Sequence, residues 1–270
     1  MAAFPYIDPV AFTIGPVQVH WYGLMYLFAF AAAWLLARRR AAQPGSGWSA
    51  AEVDDFLTWG MLGVIIGGRV GYALFYDFAA FRANPLELLK LWHGGMSFHG
   101  GLVGVVFVVW LWGWRHSRSI LQVLDFCAPL VPPGLFFGRV GNFINGELWG
   151  AATSLPWGIA PGPGASPRHP SQLYEAGLEG LLLFILLWRY SSKRRPPGRV
   201  AGMFATLYAV FRFAVEFVRL PDAHIGYLAW GWLTMGQVLC LPLLAAGLWL
   251  LFRKVPAGGE SVRPCGTKKR

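Results

Sequence analysis

Apolar residues run along this chain in long unbroken stretches rather than alternating with polar ones. Each stretch ends where glycine, proline or a cluster of charge begins. Seven stretches stand out, at residues 20–37, 55–76, 98–114, 120–138, 173–190, 201–218 and 230–252. About 20 apolar residues let an α-helix cross a hydrocarbon core roughly 30 Å thick, because each residue advances the helix by about 1.5 Å. The pattern predicts an all-α, polytopic membrane protein with seven transmembrane helices. It does not suit a β-barrel, whose strands alternate between lipid-facing and lumen-facing residues.

Charge placement orients these spans. Arg38, Arg39 and Arg40 follow the first span, Arg115 and Arg118 the third, and Lys193, Arg194, Arg195 and Arg199 the fifth. Arg253, Lys254 and the tail "TKKR" follow the seventh. Every odd-numbered span is thus followed by a basic segment. Since basic loops stay on the cytoplasmic side, the N-terminus is expected outside and the C-terminus inside. Residues 1–255 then form a single transmembrane domain, and 256–270 a basic cytoplasmic tail. The Gly-, Pro- and Ser-rich stretch 145–172 reads as a small irregular cap on the outer face. Residues 77–97 read as an interfacial segment, an amphipathic helix with Trp92 at headgroup depth. "MAAFPYIDPV" lacks the basic start of a cleaved signal peptide.

Composition agrees. The chain is 56% hydrophobic and only 13% charged, against about 25% charged in soluble domains. Its net charge of +10 lies in short connections between spans, which argues against nucleic acid as a partner. Cys127, Cys240 and Cys265 have no metal or redox spacing.

With the orientation set, each polar residue acquires a depth. His99 lies within a turn of the outer surface. Arg139 sits about 28 Å above the inner entry of its span, and Arg69 about 20 Å above that of its own. Tyr22 opens the first span, while Arg212 and Glu216 lie one turn apart between mid-depth and the outer side. Five spans therefore place polar groups in one leaflet, and ionisable residues inside a membrane point to function. Structural roles exist for several of them: an Arg69 pair with Asp125 or Glu147, a self-neutralising Arg212–Glu216 pair, or an interfacial Tyr22. Glycines in "GGRVG", "HGGLVG" and "GRVGNFING" have the small-xxx-small spacing that lets helices approach closely.

The chemistry narrows by elimination. There is no H-E-x-x-H for a zinc protease. Ser97 lies outside any G-x-S-x-G elbow, and a Ser97–His99 protease fails because residues two apart occupy different helix faces. No paired acidic motif suits a magnesium-dependent phosphatidyltransferase, and no cofactor is expected. A transporter or channel would spread polar groups through the full membrane depth. What remains is histidine, which moves protons near neutral pH, and arginines, whose forks match phosphate oxygens. That set suits a reaction on a phospholipid headgroup in which phosphate leaves.

At "GRVGNFINGELWG" (138–150) the chain resembles the bacterial phosphatidylglycerol–prolipoprotein diacylglyceryl transferases. "HWYGLMY" (20–26), "GGRVGYALFY" (67–76), "GGMSFHGGLVG" (94–104), "RHPSQLYE" (168–175) and "FRFAVEFVRLPD" (211–222) extend the resemblance in the family's order. It covers nearly the whole chain. The resemblance implies an inner-membrane transferase acting on phosphatidylglycerol and the lipobox cysteine of preprolipoproteins, with a thioether and glycerol 1-phosphate as products. It also implies functional roles for Tyr22, His99, Arg139, Asn142, Glu147, Gly150, Arg212 and Glu216. In the scheme expected from these, His99 takes the thiol proton, and Arg139 and Arg212 hold phosphate. Asn142, Glu147, Gly150, Glu216 and Arg69 belong to the substrate-binding set.

Overall fold

A computed structural model of the protein describes residues 2–5, 7–90, 94–221 and 225–254. Trp92, His93, His224, Cys265 and the tail 256–270 lie outside the described residues. The fold is mostly helical. Helix α1 spans Trp21–Ala41, α2 Ala50–Phe75, α3 Phe78–Ala83 and α4 Phe98–Arg115. Helix α5 spans Ile120–Ile144, with one 3₁₀ turn at Ala128–Leu130. Helix α6 runs over 171–191 and contains a π-helical stretch, Ala176–Leu182. Helices α7 (Arg199–Glu216) and α8 (Met235–Phe252) complete the set. Strand β1 (Ala2–Ala3) pairs in parallel with β4 (Ile159–Ala160), while β2 (Val10–Ile14) and β3 (Val17–His20) form a hairpin.

Among the described residues, α1, α2, α5 and α8 are long and apolar enough to cross a membrane. Their large apolar side chains face outward, as at Leu27, Leu35, Ile66, Leu239 and Trp249. Such surface is costly in water and matches a lipid environment. The protein is a membrane protein.

The chain forms two compact units, one of Met1–Leu36 with Asp125–Arg270 and the other of Ala37–Leu124. The second unit rests on a glycine seam. Gly63, Gly67 and Gly71 on α2 meet Gly100 and Gly104 on α4, backbone against backbone. A Cβ on Gly71 would come within 2.7 Å of the Gly100 Cα, closer than van der Waals contact allows. Small residues four apart let the two axes close, so these glycines of "FHGGLVG" are packing residues. Gly101 differs, since a Cβ there would meet Val64 only at 3.5 Å. Gly104→Ala should therefore lower stability by about 1–3 kcal/mol through overpacking, while Gly101→Ala leaves it nearly unchanged. Thermal unfolding of the detergent-purified variants measures the contrast.

Capping groups set the ends of this unit's helices. Ser49 and Glu52 form a reciprocal capping box on α2, at 3.2 and 2.7 Å. Ser97 caps α4 by accepting from the Gly100 N–H at 3.2 Å. At the other end Trp48 stacks on Trp112 at 4.7 Å, and the Trp112 indole donates to Asp55 at 2.8 Å.

Two expectations change here. Residues 77–97 do not form one amphipathic helix among the described residues. They make six-residue α3 and a 3₁₀ turn at Pro85–Leu89, divided at Asn84. A residue preceding proline is pushed out of the helical region, and Asn84 has φ −144°, ψ 89°. The second change concerns Arg69, whose donors are all engaged by carbonyls of its own unit. Its Nε donates to the Leu88 carbonyl at 3.2 Å, Nη1 to Gly94 and to Gly95 at 2.9 Å, and Nη2 to Glu87 at 2.6 Å and Lys90 at 3.0 Å. All five N–H groups clamp the loop before α4. Arg69 is thus a loop-holding residue in this fold. Asp125, for its part, accepts from the Gly198 and Ala201 N–H groups at 2.6 and 2.8 Å and so caps α7.

Candidate active site

The first unit buries a charge cluster of a kind that is costly unless each member is paired. Glu175, fully buried on α6, is its hub. One carboxylate oxygen forms an ion pair with Arg139 Nε at 2.8 Å and accepts from Arg212 Nη1 at 2.8 Å, and the other accepts from Arg219 Nη1 at 2.8 Å. Arg212 and Glu216 on α7 and Arg219 in the turn just beyond it come to one side, because positions 212, 216 and 219 continue one face at 3.6 residues per turn. Arg212 also pairs with Glu216 through Nη2. The self-neutralising pair expected from i,i+4 spacing thus exists, inside a larger network.

Glu216 is held in turn. Thr234 donates its hydroxyl to Glu216 at 2.7 Å, and Arg219 Nε lies 3.3 Å away. Gly236 makes room for the carboxylate, since a Cβ there would stand 2.7 Å from its Cδ. A cavity of about 50 Å³ lies against Arg212, Glu216, Arg219 and Gly236, wide enough for water-sized groups.

The two expected phosphate-binding arginines differ in how they are held. Arg212 has both terminal nitrogens committed, to Glu175 and Glu216. Arg139 is gripped through Nε, and its terminal fork has only a long 3.4 Å contact from Nη1 to Asn142 Oδ1 among the described residues. A guanidinium anchored at Nε, with its outer edge open, is disposed to receive an anion in bidentate fashion. Arg139 keeps an open fork while both terminal nitrogens of Arg212 are engaged, a distinction that sequence could not make.

The remaining predicted residues in this unit gather along the same stretch of α5. Asn142 donates to Glu147 at 3.4 Å, and Asn145 reaches the same carboxylate at 2.8 Å. The Tyr22 ring packs against Gly141, where a Cβ would lie 3.0 Å from Cδ2. Gly150 sits where the 145–172 segment crosses the chain at Val218 and His169. Its N–H donates to His169 O at 2.9 Å, and a Cβ would collide with both neighbours. Its position is explained by close backbone approach. Gln172 donates to Glu147 O and Ser171 to Leu148 O at 2.8 Å, tying this segment to the start of α6. His99 lies in the other unit, exposed on the first turn of α4.

Sequence reasoning missed Glu175, Glu179 and Arg219. A signal was present, because Glu175 and Glu179 both fall inside the predicted span 173–190 and the rule that intramembrane charge means function applies to them. Attention to cations and histidine passed over the carboxylates that aim them.

Helices with outward apolar surface, carrying a buried arginine–glutamate cluster with one open guanidinium fork, define a membrane-embedded site for an anionic group. Known proteins narrow the class. A sequence model described as prolipoprotein diacylglyceryl transferase matches residues 9–253. The phosphatidylglycerol–prolipoprotein diacylglyceryl transferase of Nitratidesulfovibrio vulgaris (strain DSM 19637 / Miyazaki F) is 64% identical over 94% of this chain and 96% of its own length. Those named alike from Solidesulfovibrio magneticus and Ectopseudomonas mendocina are 60% and 54% identical, over 95% and 97% of this chain and 98% and 100% of their own lengths. The chain belongs to the prolipoprotein diacylglyceryl transferase family.

Proposed function

We propose that the protein transfers the diacylglyceryl group of phosphatidylglycerol to the thiol of the lipobox cysteine in preprolipoproteins, releasing glycerol 1-phosphate. It does so in the bacterial inner membrane as one catalytic domain, residues 1–255, of seven spans. Its N-terminus and the cap 145–172 are periplasmic, and its C-terminus is cytoplasmic. The single observation that carries the reading is the Glu175 hub, which presents the fork of Arg139 in a chain of this family.

A free cysteine thiol has a pKa near ~8.5, so only a few per cent is thiolate near neutral pH. His99 accepts the thiol proton. The thiolate attacks the glycerol carbon esterified to phosphate, so that a C–S bond forms as the C–O bond breaks. The electron pair stays on the departing phosphate oxygen, and the proton taken by His99 leaves with the product phosphate or passes to water. Arg139 receives the phosphate, and Arg212, fixed by Glu175 and Glu216, stabilises the charge gathering on the ester oxygen. Asn142 and Glu147 offer groups to the headgroup hydroxyls, and Tyr22 supports the Gly141 turn beneath them. Guanidinium groups supply the positive field, so the scheme uses no cofactor.

The test combines purified protein, phosphatidylglycerol and a lipobox peptide. The peptide should gain one diacylglyceryl mass, and glycerol 1-phosphate should appear in equal amount. Unmodified peptide beside intact, correctly folded protein overturns the assignment.

A further inference from the structure

Glu179 has no part in the scheme so far, yet it is a fully buried carboxylate without a hydrogen-bond donor to either oxygen among the described residues. Its ion-pair contact is Arg212 Nη1, at 4.0 Å. It sits in the π-helical stretch of α6, a distortion of the helical ladder that often accompanies function.

The charges around it balance. Arg139, Arg212 and Arg219 face Glu175, Glu179 and Glu216 in one ion-paired network, three cations against three carboxylates. The groups whose charges act on Glu179 come from its own helix and its neighbours. They are Glu175 on its own helix, Arg139 on α5, Arg212 on α7 and Arg219 just beyond it, while the uncharged Tyr208 on α7 and Cys240 on α8 feel the Glu179 charge in turn. A phospholipid phosphate arriving at Arg139 adds one negative charge to a neutral cluster in a medium of low dielectric constant, where imbalance is costly. Glu175 cannot take up a proton without giving up a guanidinium, nor can Glu216 without giving up Arg212 or the Thr234 hydroxyl. Glu179 has no such donor to lose.

We infer that Glu179 is a positioning residue that couples headgroup binding to proton uptake. It takes one proton as the lipid phosphate enters, keeping the cluster neutral and leaving Arg212 on Glu175 and Glu216. The step balances as ionised site plus lipid anion plus one proton from solution giving the protonated site with lipid bound. The inference rests on Arg139 as the phosphate-receiving group.

The dissociation constant for phosphatidylglycerol, measured without peptide across neutral and mildly alkaline pH, tests it, because the lipid phosphodiester does not titrate there. Wild-type affinity should fall with rising pH, approaching tenfold per unit where one proton is coupled. In Glu179→Gln the slope should vanish, and binding should stay near the wild-type value at the lowest pH. A slope retained in Glu179→Gln overturns the coupling. If that variant does not fold, titration calorimetry on the wild type in buffers of different ionisation enthalpy decides. Uptake of about one proton per lipid supports the inference, and uptake of none refutes it. Arg139→Lys separates the two claims. It should weaken binding by a similar factor at every pH with the slope intact, whereas unchanged binding there removes the clamp itself.

Discussion

Glu175→Gln should lose transfer activity by at least about a hundredfold and unfold at a distinctly lower temperature. Glu175 is fully buried and holds Arg139, Arg212 and Arg219 at 2.8 Å each. Removing one partner of a buried ion pair costs about 3–5 kcal/mol, because the other charge stays in a poor dielectric without compensation. Here one substitution strands three guanidiniums. Glutamine keeps the shape and one acceptor oxygen, so the loss isolates charge from packing. The chemical effect follows from the same geometry. Arg139 is aimed chiefly by its Nε–Glu175 ion pair, and without the carboxylate its fork turns off the phosphate. A rise in KM, a fall in kcat and a lowered melting temperature are measured on one detergent preparation. Wild-type values for all three would remove Glu175 from the centre of the site.

The second large effect is expected at His99. His99→Ala should insert and fold as the wild type does, yet turn over about 10²–10⁴-fold more slowly, the range that a positioned general base contributes. Residue 99 lies exposed on the first turn of α4, and alanine sustains a helix there. The Gly100–Gly104 seam beside it carries the helix contact instead. Phosphatidylglycerol binding should be unaffected, since the base acts on the thiol. The variant should regain rate as pH rises and the substrate thiol ionises on its own. Labelled phosphatidylglycerol measures the rate. Full transfer by a well-expressed His99→Ala protein eliminates the proposed base.

Much of the architecture was legible in the sequence because its physics is local. Each of the seven apolar stretches falls on a helix, and four of these helices, α1, α2, α5 and α8, are long and apolar enough among the described residues to cross a membrane. Boundaries were less legible. Helix α1 continues to Ala41 through Arg38–Arg40, whose long side chains let a helix extend beyond its apolar part. In the 77–97 segment, the amphipathic pattern was outweighed by the proline at 85 and by the carbonyls that Arg69 gathers from 87–95.

The site was legible by residue type and opaque in its wiring. Arg139, Arg212 and Glu216 emerged from depth and resemblance and do share one network. Arg69 emerged by the same reasoning and belongs to a loop clamp, because depth does not reveal which way a guanidinium turns. The assignment of Arg139 as receiver and Arg212 as anchor depends on Glu175, a residue 36 positions from one and 37 from the other. Only folding brings such residues together.

The central claim is that the open fork of Arg139 receives the lipid phosphate. Binding of phosphatidylglycerol to purified Arg139→Lys tests it most directly, with neutral diacylglycerol as a control for the acyl chains. Lysine preserves the charge that Glu175 needs and removes the two parallel donors. The account predicts phosphatidylglycerol affinity reduced by about tenfold or more, as loss of a charge-assisted hydrogen bond worth about 1.5–3 kcal/mol implies, with diacylglycerol binding unchanged. Equal affinity of wild type and Arg139→Lys for phosphatidylglycerol would contradict it.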